Sequence, residues 1–146
     1  MHSELGQFYA TDPRIPSFTP CDPENGPSSA SCVNLTGHSQ TYAPNFTFNI
    51  GTQYKFVMGA QDSLTPRVNF GYVGPQWATL FQNPVLGDHL AGRDILGAQL
   101  AWTHAHFVTT LYGTNVTDQH YVGALNSGLR FAGPPRQFGL RFLTSF

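Results

Sequence analysis

Polar and apolar side chains alternate most clearly over the last eleven residues, Arg136 to Phe146. Phe138, Leu140, Phe142, Thr144 and Phe146 share one parity, and Gln137, Gly139, Arg141, Leu143 and Ser145 share the other. Successive side chains of a β-strand point to opposite faces, so this spacing predicts a strand with an aromatic-rich apolar face and a mostly polar one. Its length suits a tilted strand crossing a bilayer, about 9–11 residues.

Four upstream segments repeat the pattern. Asn45 to Phe56 sets Phe46, Phe48, Ile50, Tyr54 and Phe56 against Asn45, Thr47, Asn49, Gln53 and Lys55. Pro66 to Tyr72 sets Val68, Phe70 and Tyr72 against Arg67 and Asn69. Ile95 to Thr103 sets Leu96, Ala98, Leu100 and Trp102 against Gln99 and Thr103. Phe107 to Asn115 is less regular, with Phe107, Thr109, Leu111 and Gly113 read as the outward set.

Charge follows the same division. The acidic residues, Glu4, Asp12, Asp22, Glu24, Asp62, Asp88, Asp94 and Asp118, all fall outside the predicted strands. Lys55, Arg67 and Arg141 take the polar parity, and Arg136 opens the last strand. A cation facing lipid at mid-membrane costs about 2–4 kcal/mol, so a membrane barrel confines charge to its lumen and rims. Charged residues make up only 10% of the chain, and the polar faces use Asn, Gln, Thr and Gly instead.

At 146 residues the chain has room for one domain. Fifteen Gly, eleven Pro and 14% aromatics favour an all-β protein rich in turns. Apolar residues nowhere keep helical spacing for long, and no run approaches the ~18 apolar residues of a transmembrane helix. A net charge of −1 offers no electrostatic footprint for nucleic acid. The start, Met1-His-Ser-Glu-Leu-Gly, has no basic stretch followed by an apolar one. Either the protein is cytoplasmic or the chain is the tail of a longer exported one; the tail is expected, because the other features need export and about five strands cannot close a barrel.

Residues 1–44 read as a long loop, with turn signals at Asp12-Pro13, Thr19-Pro20, Asp22-Pro23 and Asn25-Gly26-Pro27. Cys21 and Cys32 lie in it, and a bridge between them would fit an oxidising compartment. Connections then alternate: short from Val57 to Thr65, long from Val73 to Asp94, very short at His104-Ala105-His106, and long from Val116 to Pro135. Gln76 to Phe81 can extend the second strand. Tight turns alternating with long loops is the asymmetry of outer-membrane barrels, whose long loops are extracellular.

Leu111-Tyr-Gly-Thr-Asn-Val-Thr-Asp118, then Gly133-Pro-Pro-Arg-Gln-Phe-Gly-Leu-Arg-Phe142 and the final Phe146, resemble the end of a TonB-dependent outer-membrane receptor. Leu35 to Gly51 resembles that family's Gly-x(n)-Ala-Pro approach to a strand, and Pro134-Pro135 departs from its single Pro. The resemblance covers residues 33–146. It implies a share in a barrel of about 22 strands with a plugged lumen, and energised uptake of a scarce ligand such as an iron chelate, cobalamin or glycan. Its implied partners are the rest of the barrel and the plug domain, the TonB energy-coupling system reached through an N-terminus missing here, outer-membrane lipid, and the barrel-assembly machinery. The last of these would read Phe138, Leu140, Phe142 and Phe146 as an assembly signal. Asn115 resembles the family's strand-end Asn and is read as a cap on the following loop.

Other chemistry has little to stand on. His104 and His106 can share a strand face as a metal pair, but the expected role is to flank a tight turn at the water interface, and no metal site is expected. Asn34, Asn45 and Asn115 match the glycosylation pattern, a chance match in a bacterial outer-membrane protein. No nucleophile elbow is present, so neither an enzyme nor a cofactor is expected. Trp77, Trp102, Tyr54, Tyr72 and Phe146 fit interfacial aromatic girdles, and for Trp77 stacking on a sugar is the alternative. The expected fold is an all-β antiparallel up-and-down meander of about five strands, a partial, open transmembrane β-barrel, with residues 1–44 as an extracellular loop region and 45–146 as wall. The expected location is the bacterial outer membrane. The competing readings are a secreted soluble β-sandwich or lectin-like binding module, and a small outer-membrane barrel enzyme.

Overall fold

Period-two segments form strands because a pleated chain separates their two sets of side chains onto opposite faces. A computed structural model describes residues 3–16, 21–26, 31–126 and 128–145. Among these residues the regular elements are all strands. They are β1 (Tyr9–Thr11), β2 (Cys32–Asn34), β3 (Thr47–Gln53), β4 (Phe56–Val57), β5 (Asp62–Val73) and β6 (Gln76–Trp77). Then follow β7 (His89–Leu90), β8 (Arg93–His104), β9 (Phe107–Thr114), β10 (Val122–Asn126), β11 (Leu129–Ala132) and β12 (Gln137–Thr144).

The largest sheet is antiparallel, in the order β12-β9-β8-β5-β3, with β4 also on β5. Each strand lies beside the one preceding it in this series, as in a meander. β3 and β4 are in effect one strand. Both pair with β5 in one register, Gln53 opposite Arg67 and Phe56 opposite Leu64. Between them Tyr54 N–H donates to the Pro66 carbonyl at 3.2 Å. Pro66 has no N–H to return, so one rung of the ladder is missing there.

The strands run further than alternation predicts. Pro66, read as the start of a strand, lies inside β5, which begins at Asp62. β8 begins at Arg93 rather than Ile95. Asp62 and Asp94 therefore lie within strands, contrary to the acid-free expectation, but at their ends. Gln76 to Phe81 does not extend β5, since Gln76–Trp77 pairs with His89–Leu90 in a separate sheet.

The register places Val73, Arg93, Thr114 and Gln137 along one end of the main sheet. The longer connections, residues 74–92 and 115–136, leave from that end. Residues 58–61 and the Ala105-His106 turn lie at the other, where Ala105 takes φ 47°.

The chain divides into two compact units. Unit 2, Thr47–Val73 with Gly92–Val122 and Ala132–Phe146, holds the main sheet. Unit 1 is discontinuous, built from Met1–Phe46, Gly74–Ala91 and Gly123–Phe131. It contains the β1-β2 and β6-β7 pairs and three buried apolar side chains, Leu35, Ala78 and Leu90. Among the described residues these three are the buried apolar side chains, so the main sheet has no apolar core of its own.

Candidate membrane-facing surface

Cross-strand pairing sorts the main sheet into two faces. One row runs Thr52-Val68-Ala98-Gly113-Phe138. The next runs Pro66-Leu100-Leu111-Leu140, and the next Phe56-Leu64-Trp102-Thr109-Phe142. These share a face with Phe48, Ile50, Phe70, Tyr72, Leu96 and Phe107. The assembly-signal residues Phe138, Leu140 and Phe142 are 66%, 70% and 62% exposed. Phe146 lies outside the described residues.

The apolar face is banded. Phe48 packs against Phe70 and Tyr72 at the long-loop end, each at 5.7 Å between ring centroids. At the turn end Phe107 stacks on Phe142 at 5.7 Å, and Tyr54 meets Phe56 edge-on at 4.6 Å. Trp102 lies in the same band, beside His104. Val68, Ala98, Leu100, Leu111 and Leu140 fill the middle, where Phe138 shares a row with Val68 and Ala98. The acids bound the face: Asp94 pairs with Tyr72 at one end, and Asp62 with His104 at the other. Asp62 to Tyr72 spans about 34 Å at 3.4 Å per residue. A strand tilt of about 40° reduces that to roughly 26 Å of height, close to the 25 Å apolar belt of an outer-membrane barrel.

The opposite face carries Lys55, Arg67, Arg93 and Arg141 among Asn, Gln, Thr and Gly, and no acid within its strands. Its side chains lie low over glycines. The Asn49 amide covers Gly71, its direct partner, and the Asn69 amide covers Gly51. Tyr112 covers Gly139, and Arg141 stacks over the Tyr112 ring at 5.7 Å. A groove of about 510 Å³ follows, floored by Gly51, Gly71 and Gly97.

The remaining sequence candidates resolve individually. His104 Nδ1 lies 2.7 Å from Asp62 Oδ1, so its partner is a carboxylate and not His106. Among the described residues no group of three or more His, Cys, Asp or Glu is arranged to hold a metal. Asn115 is buried at φ 49°, a left-handed conformation that Asn tolerates better than most residues. Its amide donates to the Gln119 and Pro134 carbonyls at 3.0 and 3.1 Å and accepts from Gln119 N–H at 2.8 Å, which ties both limbs of the loop after β9. Cys21 and Cys32 are disulfide-bonded, with Cα atoms 5.3 Å apart. Trp77, grouped by sequence with the girdle, is not on the main sheet but on β6 in unit 1.

One cluster went unrecognised in the sequence. In unit 1, Arg14 donates to Asp88 Oδ1 at 2.5 Å and Oδ2 at 2.8 Å, and to Asp12 through Nε and Nη2 at 2.9 and 2.8 Å. Both carboxylates are fully buried. Thr79 Oγ1 and Asn83 N–H also donate to Asp88, at 2.5 and 2.9 Å. Burial opposes ionisation of Asp88, yet the hydrogen bonds from Arg14, Thr79 and Asn83 outweigh it and hold its pKa at about 2. The Arg14 guanidinium likewise pulls Asp12 below its usual range, against burial, and Asp88 and Asp12 raise Arg14 in turn. Asp12-Pro13-Arg14 reads as a turn, and nothing local marks a partner 74 residues away. The arrangement is a structural tie, since every polar end of it meets protein.

The chain matches no known family model, no curated protein and no solved structure.

Proposed function

We propose that this chain is part of the wall of an outer-membrane β-barrel of the TonB-dependent receptor type, a partial, open barrel whose remaining strands and plug come from the rest of the receptor. The observation that carries the reading is the banded apolar face, mostly aliphatic in the middle, rich in aromatics at both ends, bounded by acids and left exposed. A soluble monomer rarely exposes so large an apolar patch. Lipid is the solvent in which that face is favourable, and its height fits the hydrocarbon belt.

Sheet topology supports the same reading. β12 and β3 each pair on one side only within the main sheet. In a bilayer such edges need partner strands, because each unpaired main-chain group there costs several kcal/mol. The polar face, acid-free and paved with Asn, Gln, Thr and Gly, suits a lumen. The role that follows is energised uptake of a scarce ligand (iron chelate, cobalamin or glycan), with TonB supplying the energy through the receptor's N-terminal region and the assembly machinery engaging β12. The chain alone is not transport-competent, and its chemistry is that of a wall and loops rather than of an enzyme.

The test is depth-dependent fluorescence quenching. Trp102 lies on the apolar face, so a Trp77→Phe chain folded into vesicles containing brominated lipids should have its remaining tryptophan strongly quenched. A water-soluble, monodisperse monomer with a cooperative melt and an unquenched Trp102 would overturn the reading and return it to a soluble binding module.

A further inference from the structure

We infer that unit 1 carries a binding site for one neutral pyranose sugar, in the cavity of about 240 Å³ that Trp77 lines. Trp77 on β6 is the direct partner of His89 on β7, with ring centroids 5.0 Å apart and planes 70° to each other. Glu4, Ser39, Asn45 and Gln82 line the same space. All belong to one compact unit.

The site is built rather than incidental. Gln82 takes φ 50°, a conformation that costs a non-glycine residue about 1–3 kcal/mol and persists where its surroundings enforce it, often at ligand clamps. Its Nε2 donates to Ser39 at the carbonyl (3.3 Å) and the hydroxyl (3.1 Å), which fixes the amide at the cavity wall. Tyr42 is also left-handed, at φ 55°, and its N–H donates to the Trp77 carbonyl at 2.8 Å. The Tyr42 hydroxyl in turn both donates to the Leu125 carbonyl and accepts from its N–H, each at 2.9 Å. Two strained residues thus hold the Trp77 main chain and the Gln82 amide in place.

The lining matches a sugar. A pyranose offers C–H bonds that suit the electron-rich face of an indole, and hydroxyls that both donate and accept. The Asn45 and Gln82 amides do both as well, and the Glu4 carboxylate accepts. No Lys or Arg lines the cavity, and the Glu4 carboxylate beside His89 opposes an anion there. A single aromatic platform is also too little for a quaternary ammonium, which is held by a cage of rings. The volume is below the roughly 300 Å³ at which drug-sized pockets begin, which limits the ligand to about one ring. No residue of this cavity lies on the main sheet, so the inference goes beyond the membrane reading and can fail without it.

The experiment uses the full chain folded in detergent micelles with Trp102→Phe, leaving Trp77 as the fluorescent reporter. Methyl glucoside, methyl galactoside and methyl mannoside are titrated, with tetramethylammonium chloride and sodium phosphate as contrasts. At least one pyranoside should give a saturable spectral shift with half-saturation on the order of 1–10 mM. Saturation-transfer NMR should show that sugar's C–H protons in contact with protein, and Trp77→Ala should abolish the transfer. Asn45→Ala, an exposed change that leaves the fold intact by circular dichroism, should weaken binding about threefold or more through one lost hydrogen bond. The inference is overturned if no pyranoside responds by either method up to about 100 mM, tenfold beyond the weakest affinity expected. It is equally overturned if tetramethylammonium or phosphate binds better than every sugar, or if both variants bind like the parent.

Discussion

The ring of Phe138 lies across the backbone of Gly113, its direct partner on the neighbouring strand, and would meet a β-carbon placed there at 2.8 Å. One residue along and on the opposite face, Tyr112 covers Gly139 in the same way. Each aromatic shields the main chain that its glycine partner leaves bare, a device that pins register between strands. Gly113→Ala should therefore displace the Phe138 ring and cost about 1–3 kcal/mol, as overpacking does. The same change in a Phe138→Leu background should cost less. Urea midpoints of the four chains folded in micelles measure the coupling, and equal costs in the two backgrounds would deny the contact its role.

Leu140 and Leu143 are both apolar and exposed on β12, but they face opposite ways. Leu140→Arg should lower the free energy of folding into vesicles by about 2–4 kcal/mol, the cost of a cation in mid-membrane. Leu143→Arg should change it by less than about 1 kcal/mol, because that face tolerates Arg141 beside it. Equal penalties at the two positions would mean that lipid does not distinguish the faces.

Asp88 binds its proton less readily in the folded chain, with a pKa of about 2, than in the unfolded one, at about 3.9. Its stabilising contribution is therefore complete above pH 4 and lost as pH falls through 2; by linkage it amounts to roughly 2–3 kcal/mol. Asp12, shifted in the same direction, adds to the loss. The protection factor of the Asn83 amide, which donates to Asp88, should hold down to about pH 4 and fall below it. Asp88→Asn should lower that factor at neutral pH and flatten the acid dependence. A protection factor for Asn83 that ignores both changes would sink the argument.

Asn115→Ala should cost about 1–3 kcal/mol, since it removes the partner of the Gln119 and Pro134 carbonyls and of one N–H and leaves a left-handed residue without its side-chain bonds. Asn115→Asp should also be costly, because a carboxylate would face the Gln119 and Pro134 carbonyls in place of an amide donor. Asn115→Gly relieves the backbone but restores no bond, so it should fall no better than midway. Denaturant midpoints rank the three, and a neutral alanine variant would contradict the capping role.

Phe146 and the alternate residues before it are proposed to be read by the assembly machinery through strand addition, with main-chain bonds giving affinity and side-chain pockets specificity. Deleting Phe146 from the full receptor should reduce the heat-modifiable, membrane-inserted form while leaving export across the inner membrane intact. Replacing Ser145, on the other parity, should matter much less. Wild-type insertion of the deletion would leave Phe146 without an assembly role.

The sheet was legible because its strands alternate over seven or more residues, long enough for period two to stand out. The strand ends were not, because Asp62, Ser63, Arg93 and Asp94 are polar on both parities and carry no alternation. Pro66 looked like a boundary, yet a single missing rung is cheaper than ending the strand. β1, β2, β6 and β7 span two or three residues each, too short for any period to show. The Asp12-Arg14-Asp88 tie and the Trp77 cavity depend on residues far apart in sequence, and pattern reading along the chain is blind to such meetings. Asn115 and the cysteine pair were legible because their chemistry is local.

Arg14 meets Asp88 across 74 residues, and Tyr42 meets Leu125 across 83. Synthesis delivers the N-terminus first, and contacts between distant residues bear the entropy of closing the chain between them. The last stretch of unit 1, Gly123–Phe131, emerges only after β3, β4, β5, β8 and β9. Unit 1 therefore stays incomplete until Gly123–Phe131 has joined it. A nascent chain paused before Leu125 holds Tyr42 without its backbone clasp, and one paused before Asp88 holds Arg14 with a single carboxylate. A chain that stops before Leu125 therefore leaves two structures unfinished at once, unit 1 without its clasp and the main sheet without β12.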